Sequence, residues 1–269
     1  MANTIYSPRG HSGEQAADPA LAIPMGALQG VRSINKFGTN PDVGATYEPV
    51  WEHGGTWSRL TAPTFLEVAS EDAADTLLGV GARTILVEGL DESGLEVSES
   101  FNLNGQTPVL GTQLFSFVNR AYVTAAGSSL TNVGEIAIAD DSAVWTTGHP
   151  TVMSTVQASL VIGHGQTQQT IYKVPSDKTA FITNGYISAD SSKIVTYRFL
   201  GISAGNVLTI SFEATVTSGS FAKEFNPYMR AASGSIIYVD AKVNTGTAQV
   251  SAGLDIILVE NEMLNEAVP

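Results

Sequence analysis

Cysteine is absent from the 269 residues, which excludes a disulfide framework, a thiolate zinc site and a cysteine nucleophile. Charge is scarce as well: Asp, Glu, Lys and Arg make up 14% of the chain, against roughly 25% in an average soluble domain. No run approaches the roughly 18 consecutive apolar residues of a spanning helix, so no membrane is expected as a partner. Basic residues number 13 against 26 acidic ones. The net charge of -13 repels a phosphate backbone, so no nucleic acid is expected either. The opening Met1–Gln15 has neither a basic n-region nor an apolar h-region, and a secretory leader is not expected.

What is present is a hydroxyl-rich, apolar chain. Ser and Thr account for 25 and 26 positions, enough to wet a surface that has few charges. With 43% hydrophobic residues the composition is that of a folded protein with a real core. The acidity is uneven. Residues 1–45 are neutral, residues 46–146 carry three Arg against 14 acids, and residues 147–269 carry seven basic residues against nine acids. The middle segment therefore holds -11 of the -13, and it is expected to face water while its neighbours dock on other surfaces.

Residues 1–45 read as an extended arm. Pro8, Pro19, Pro24 and Pro41 recur among Gly10, Gly13, Gly26, Gly30 and Gly38, and Pro19 and Pro24 oppose a helix over the Ala-rich Ala16–Leu28. Such a segment is too long for a connection inside a compact domain and needs a surface to lie on.

Residues 46–146 alternate like antiparallel strands. Arg83–Glu88 is rich in β-branched residues, and Leu95, Val97, Phe101 and Leu103 share one face with Glu99 in its middle slot. That slot is expected to be exposed or hydrogen-bonded. Asn104-Gly105 predicts a type I′ hairpin leading into Thr107–Leu110. Asp140–Ser154 reads as a linker to a second β series over 147–269. Strands are expected at 156–162, 169–174, 179–183, 194–201, 207–214, 235–243 and 249–260, with turns at Ser191-Ser192 and Ser218-Gly219 among others. Only Leu77–Gly81 and Asn261–Val268 could form short helices. The predicted fold is all-β: an N-terminal arm, then two antiparallel β-sandwich or jelly-roll-like domains, 46–146 and 147–269.

The search for chemistry is mostly negative. His11, His53, His149 and His164 show no metal-ligand spacing, and Asp140-Asp141 lacks the pattern of a calcium loop. Gly79-Val-Gly81 lacks the third glycine of a dinucleotide fingerprint and precedes a strand rather than a helix. The acids of 46–146 sit in turns and on outward phases, where burial does not raise a carboxyl pKa. No catalytic residue, cofactor or metal site is expected. Trp51 and Trp57, six apart across Gly54-Gly55, either anchor the core or stack on a sugar ring.

Several words of the sequence form a recognisable set. Val50–Gly55, Ala82–Asp91, Ser98–Gly105, Asn119–Ser128 and Asn132–Ile136 resemble structural proteins of tailed marine phages, notably cyanophages. Gln166–Ala180 and Val250–Val259 continue the likeness, which spans roughly 46–260 and leaves the arm unmatched. Lys173-Val-Pro175 stands where the usual word is Thr-Val-Pro. The resemblance implies a non-enzymatic virion component and transfers no catalytic residues. The expectation is a homotrimer on the outer surface of the particle, decorating or cementing the capsid beside the major capsid protein. A tail or fibre-base component, or a host-carbohydrate-binding module using Trp51 and Trp57, are the alternatives.

Overall fold

The computed structural model describes residues 18–265. The chain enters through a one-turn helix, α1 (Pro19–Ala22), capped by the Asp18 carboxylate. Pro19 occupies the first turn, where its missing N–H has no intrahelical acceptor to lose, so this proline starts the helix rather than preventing it. Strands β1 (Val31–Val43) and β2 (Glu48–Pro49) follow. The middle of the chain supplies β3 (Leu66–Ser70), β4 (Ala82–Leu90), β5 (Glu96–Asn102), β6 (Val109–Leu110), β7 (Phe117–Ala126) and β8 (Ile136–Asp140). Then come β9 (Trp145–Thr146), β10 (His149–Pro150), β11 (Val156–Leu160) and β12 (Tyr172–Lys173). Two long strands, β13 (Lys178–Ile202) and β14 (Leu208–Ala231), precede β15 (Ile236–Val243), β16 (Ala248–Glu260) and the terminal α2 (Asn261–Asn265). The fold is all-β, and the ladders are antiparallel.

Two smaller sheets, ordered β11-β8-β3-β6 and β5-β4-β7, share one core. Leu66, Val68, Ile136, Ile138 and Leu160 from the first meet Ile85, Val87, Phe101 and Val118 from the second. The Glu99 slot is the hydrogen-bonded one: its carboxylate accepts from Thr112 N (2.7 Å), Thr112 Oγ1 (2.8 Å) and Gln113 N (3.2 Å). Asn104-Gly105 does turn, with Gly105 at φ 58, but it closes no hairpin. β5 pairs with β4 and β6 pairs with β3, so this turn carries the chain from one sheet to the other.

The stretch 140–154 is not a plain linker. β9 and β10 form a small hairpin around Thr147-Gly148, after which β11 pairs back onto β8. Gly148 has φ 77, and a Cβ there would stand 1.9 Å from the Ser70 carbonyl oxygen, so only glycine fits. Residues 156–160 thus belong to the same sheet as 66–70, and sheet membership does not change at residue 147.

The large sheet runs β1-β16-β13-β15-β12, with β14 on β13 and β2 on β15. β1 is extended, as expected of an arm, and for 31–43 the surface it lies on is β16 of the same chain, from Val31 opposite Val259 to Val43 opposite Ala248. Pro41 is tolerated because β1 is an edge strand and the register shifts between Asn40 and Val43. Residues 1–17 of the expected arm lie outside the described residues.

The turn signals at 191–192 and 218–219 do not end strands. They sit in a bulge where Ala189 pairs with Gly219 and Ile194 with Thr217, leaving four residues of β13 against one of β14. There β13 bends, pairing with β16 before the bulge and with β15 after it. The two halves of the sheet face each other over a core containing Ile187, Tyr197, Phe199, Phe225, Val239 and Leu254. Tyr197 ties the bend by donating to Ser188 O at 2.7 Å.

Candidate functional site

The two tryptophans pack into one core cluster. Trp51 is 1% exposed, donates Nε1 to Gly55 O at 3.2 Å and takes His53 edge-on at 5.1 Å. Trp57 is half-buried, edge-to-face on Phe117 at 5.6 Å. Both belong to the core patch joining the small sheets to the large one, with Leu90, Val156 and Ile236. His53 bonds Glu135 through Nδ1 (3.2 Å) and stacks on His149 at 6.1 Å. Among the described residues no group of three His, Asp or Glu side chains is placed to hold a metal ion.

Within 46–146 burial does raise one carboxyl pKa, contrary to the sequence reading of that segment. Glu52, 7% exposed, is pushed up by desolvation, opposed by His164 (Nδ1 3.1 Å from Oε2) and by the amide of Val161. Asp240, on β15, is raised by burial against the pull of Arg198, whose Nε donates to Oδ1 at 3.0 Å. Arg198 in turn lies 3.4 Å over the Tyr47 ring.

Two surface features stand out. The first is β14, which among the described residues pairs only with β13 and leaves its other edge open over 24 residues. That edge is about 75 Å of contour at roughly 3.3 Å per residue. Leu208, Ile210, Phe221 and Tyr228 are exposed along it, together with Val207 at the ribbon tip. The aromatic stack Phe212–Phe221 (6.0 Å, 7° between planes), backed by Phe199 and Phe225, holds the ribbon against the core.

The second feature is a cleft of about 650 Å³ between β1 and the sheet β5-β4-β7. Asn119 on β7 positions its walls by bonding β12 twice, from Nδ2 to Lys173 O (3.1 Å) and from Lys173 N to Oδ1 (2.8 Å). Across the gap, Lys36 of β1 donates to Asn119 O at 2.7 Å. Lys36 is 6% exposed, and burial together with the Arg120 charge lowers its pKa to about 7. The Tyr172 phenol is buried, its pKa pushed up to about 12 by desolvation against the pull of Arg32. Arg32 is itself paired with Glu96. Sequence reasoning missed Lys36 and Tyr172. Had 31–43 been read as a strand, the phase Ile34, Lys36, Gly38, Asn40 would have put a charge on an inward face.

No family model and no curated protein matches this chain. Among solved structures it is similar to that of the infectious bursal disease virus Gx strain, at 10% identity over 88% of this chain and 72% of that one, TM-score 0.24. It is likewise similar to the infectious bursal disease virus VP2 subviral particle, at 12% identity, 89% and 74% coverage and TM-score 0.23. The PBSX exported protein XepA gives 9% identity, 82% and 86% coverage and TM-score 0.19. Scores this low carry no argument about fold or function.

Proposed function

We propose that this chain is a non-catalytic structural protein of a tailed-phage virion, one that decorates or cements the capsid. The observation that carries the reading is the open edge of β14. A long unpaired edge with exposed Leu208, Ile210 and Phe221 is a liability in a soluble protein unless a partner covers it. Strand addition at such an edge supplies a ladder of main-chain hydrogen bonds, and the outward side chains set specificity. The sequence words shared with tailed-phage structural proteins support the same reading.

The partner in this proposal is a neighbouring virion subunit, a capsid protein or another copy of the chain in a homotrimer. The large sheet and residues 1–17 make the contacts. The acidic small sheets face water on the outer surface, away from packaged DNA.

The test is incorporation into particles. Leu208→Lys and Ile210→Lys, both on exposed positions, should leave the isolated chain folded and abolish incorporation; deletion of 1–17 should weaken it. Removal of all of 1–45 is not a usable variant, because it takes away β1. Normal incorporation of both edge variants would overturn the proposal. Hundreds of copies per particle support the shell, and a dozen or fewer would move the protein to the tail. Sedimentation should give a mass three times 28.2 kDa.

A further inference from the structure

We propose that the cleft between β1 and the sheet β5-β4-β7 binds an acidic saccharide, whose carboxylate is received by Lys36 and the Tyr172 hydroxyl. Its volume, about 650 Å³, lies in the range of small-molecule sites. The Tyr172 side chain lines it and is 3% exposed; its oxygen faces the Arg32 guanidinium, which can only donate, so the hydroxyl's own proton has no acceptor. A buried hydroxyl left so costs about 1–3 kcal/mol, and native structures rarely leave one without an acceptor. Lys36 adds to the demand: its buried ammonium has three N–H donors, and its hydrogen bond to Asn119 O uses one.

The charges around the cleft select the ligand. Arg32, Lys36 and Arg120 line it against Glu88 and Glu96. Glu96 is committed to Arg32 and to Lys178 (3.3 Å). Arg120 is exposed, bonded to Gln166 (3.1 Å) and stacked 4.5 Å over Tyr122. With Lys36 protonated the surplus is one positive charge, placed deep, and a carboxylate bound there holds that proton in place. A compact polyanion such as a nucleotide phosphate would meet the two carboxylates and be repelled. A ligand with one carboxylate on a neutral polyhydroxyl body satisfies both sides. Its charge meets Lys36 and Tyr172, and its hydroxyls donate to Glu88 and bond Ser98, Gln166 and Thr167 along the wall. The inference is independent of the virion reading, since it concerns a different face and a different class of partner.

Titration calorimetry of the full chain tests it. Galacturonate is the probe, with galactose as the neutral control and acetate as the bare carboxylate. Galacturonate should bind at least about tenfold more tightly than either control. Tyr172→Phe should weaken it about tenfold without lowering the melting temperature, and so should Arg120→Gln, whose side chain is exposed. Absence of heat at millimolar galacturonate would sink the proposal. So would equal binding of galactose or acetate, or indifference to both substitutions.

Discussion

In the small sheets the buried carboxylate of Asp75 is held without a cation, whereas in the large sheet that of Asp240 is matched by Arg198. Asp75 is wholly buried. It accepts from Ala82 N (2.6 Å), Val133 N (3.0 Å), Gly134 N (2.8 Å) and Ser70 Oγ (2.6 Å). It has company. Asp72 accepts from Ala74 N, Asp91 from Ser93 N and Leu95 N, Glu99 from Thr112 N and Gln113 N, and Asp140 from Ser142 N. The difference follows from strand length. Short strands joined by many turns leave backbone N–H groups outside any ladder, and a carboxylate is the strongest side-chain acceptor for them. β13, 25 residues long and paired on both edges, satisfies its amides within the ladders and needs few such anchors. The acidity of 46–146 is therefore partly structural, and not only a choice of which face meets water.

The comparison can be broken most sharply at Asp75. Asp75→Ala would strand three amides and a hydroxyl in a dry interior at about 1–3 kcal/mol each, partly relieved by water and relaxation, so about 4 kcal/mol of stability should be lost. Urea unfolding measures it; a loss below about 1 kcal/mol would mean these amides find other acceptors. Arg198→Ala should cost less, about 2–3 kcal/mol, since Asp240 can recover some neutrality by taking up a proton. The same variant should lose more stability at pH 8 than at pH 5, because an unpaired Asp240 resists ionising. Equal losses at both pH values would show that the Arg198 stem and its stacking on Tyr47, rather than its charge, matter there.

Much of this architecture was legible in alternation alone. On the face Leu95, Val97, Phe101, Leu103 the last two are buried as alternation requires and Val97 is half-buried, whereas Leu95, just before β5, is exposed. Glu99 on that face left two outcomes, exposed or hydrogen-bonded, and the second is found. What alternation could not reveal was partnership. Asn104-Gly105 has the same local chemistry whether it closes a hairpin or crosses between sheets, and only the pairing of β5 with β4 decides. Turn residues at 191–192 and 218–219 mark a bulge as readily as a loop, because both need the same backbone freedom. The tryptophan pair gave residue type without depth. Lys36 and Tyr172 are far apart in sequence and meet one cleft only through β1 pairing with β16 and β12 with β15.

Lys36 supplies the sharpest contrast with the acids of the small sheets, since it is a buried amine with one acceptor. Its pKa falls from the model-peptide value of 10.5 to about 7, through burial first and the Arg120 charge second, with Glu88 opposing. Between those limits the folded chain binds fewer protons than the unfolded chain. Stability from this group therefore rises with pH, by at most about 1.4 kcal/mol per unit, beginning near pH 7. Below pH 7 the full cost of burying a charged ammonium is present. Lys36→Met removes that cost but leaves the Asn119 carbonyl without its donor. The variant should therefore gain most over the parent at pH 6, and its advantage should shrink steadily at pH 8 and 9. Other titrating groups contribute alike to both proteins and cancel in the difference. Urea midpoints that stay parallel from pH 6 to 9 would show that Lys36 keeps an ordinary ammonium, with water or an anion in the cleft compensating its burial.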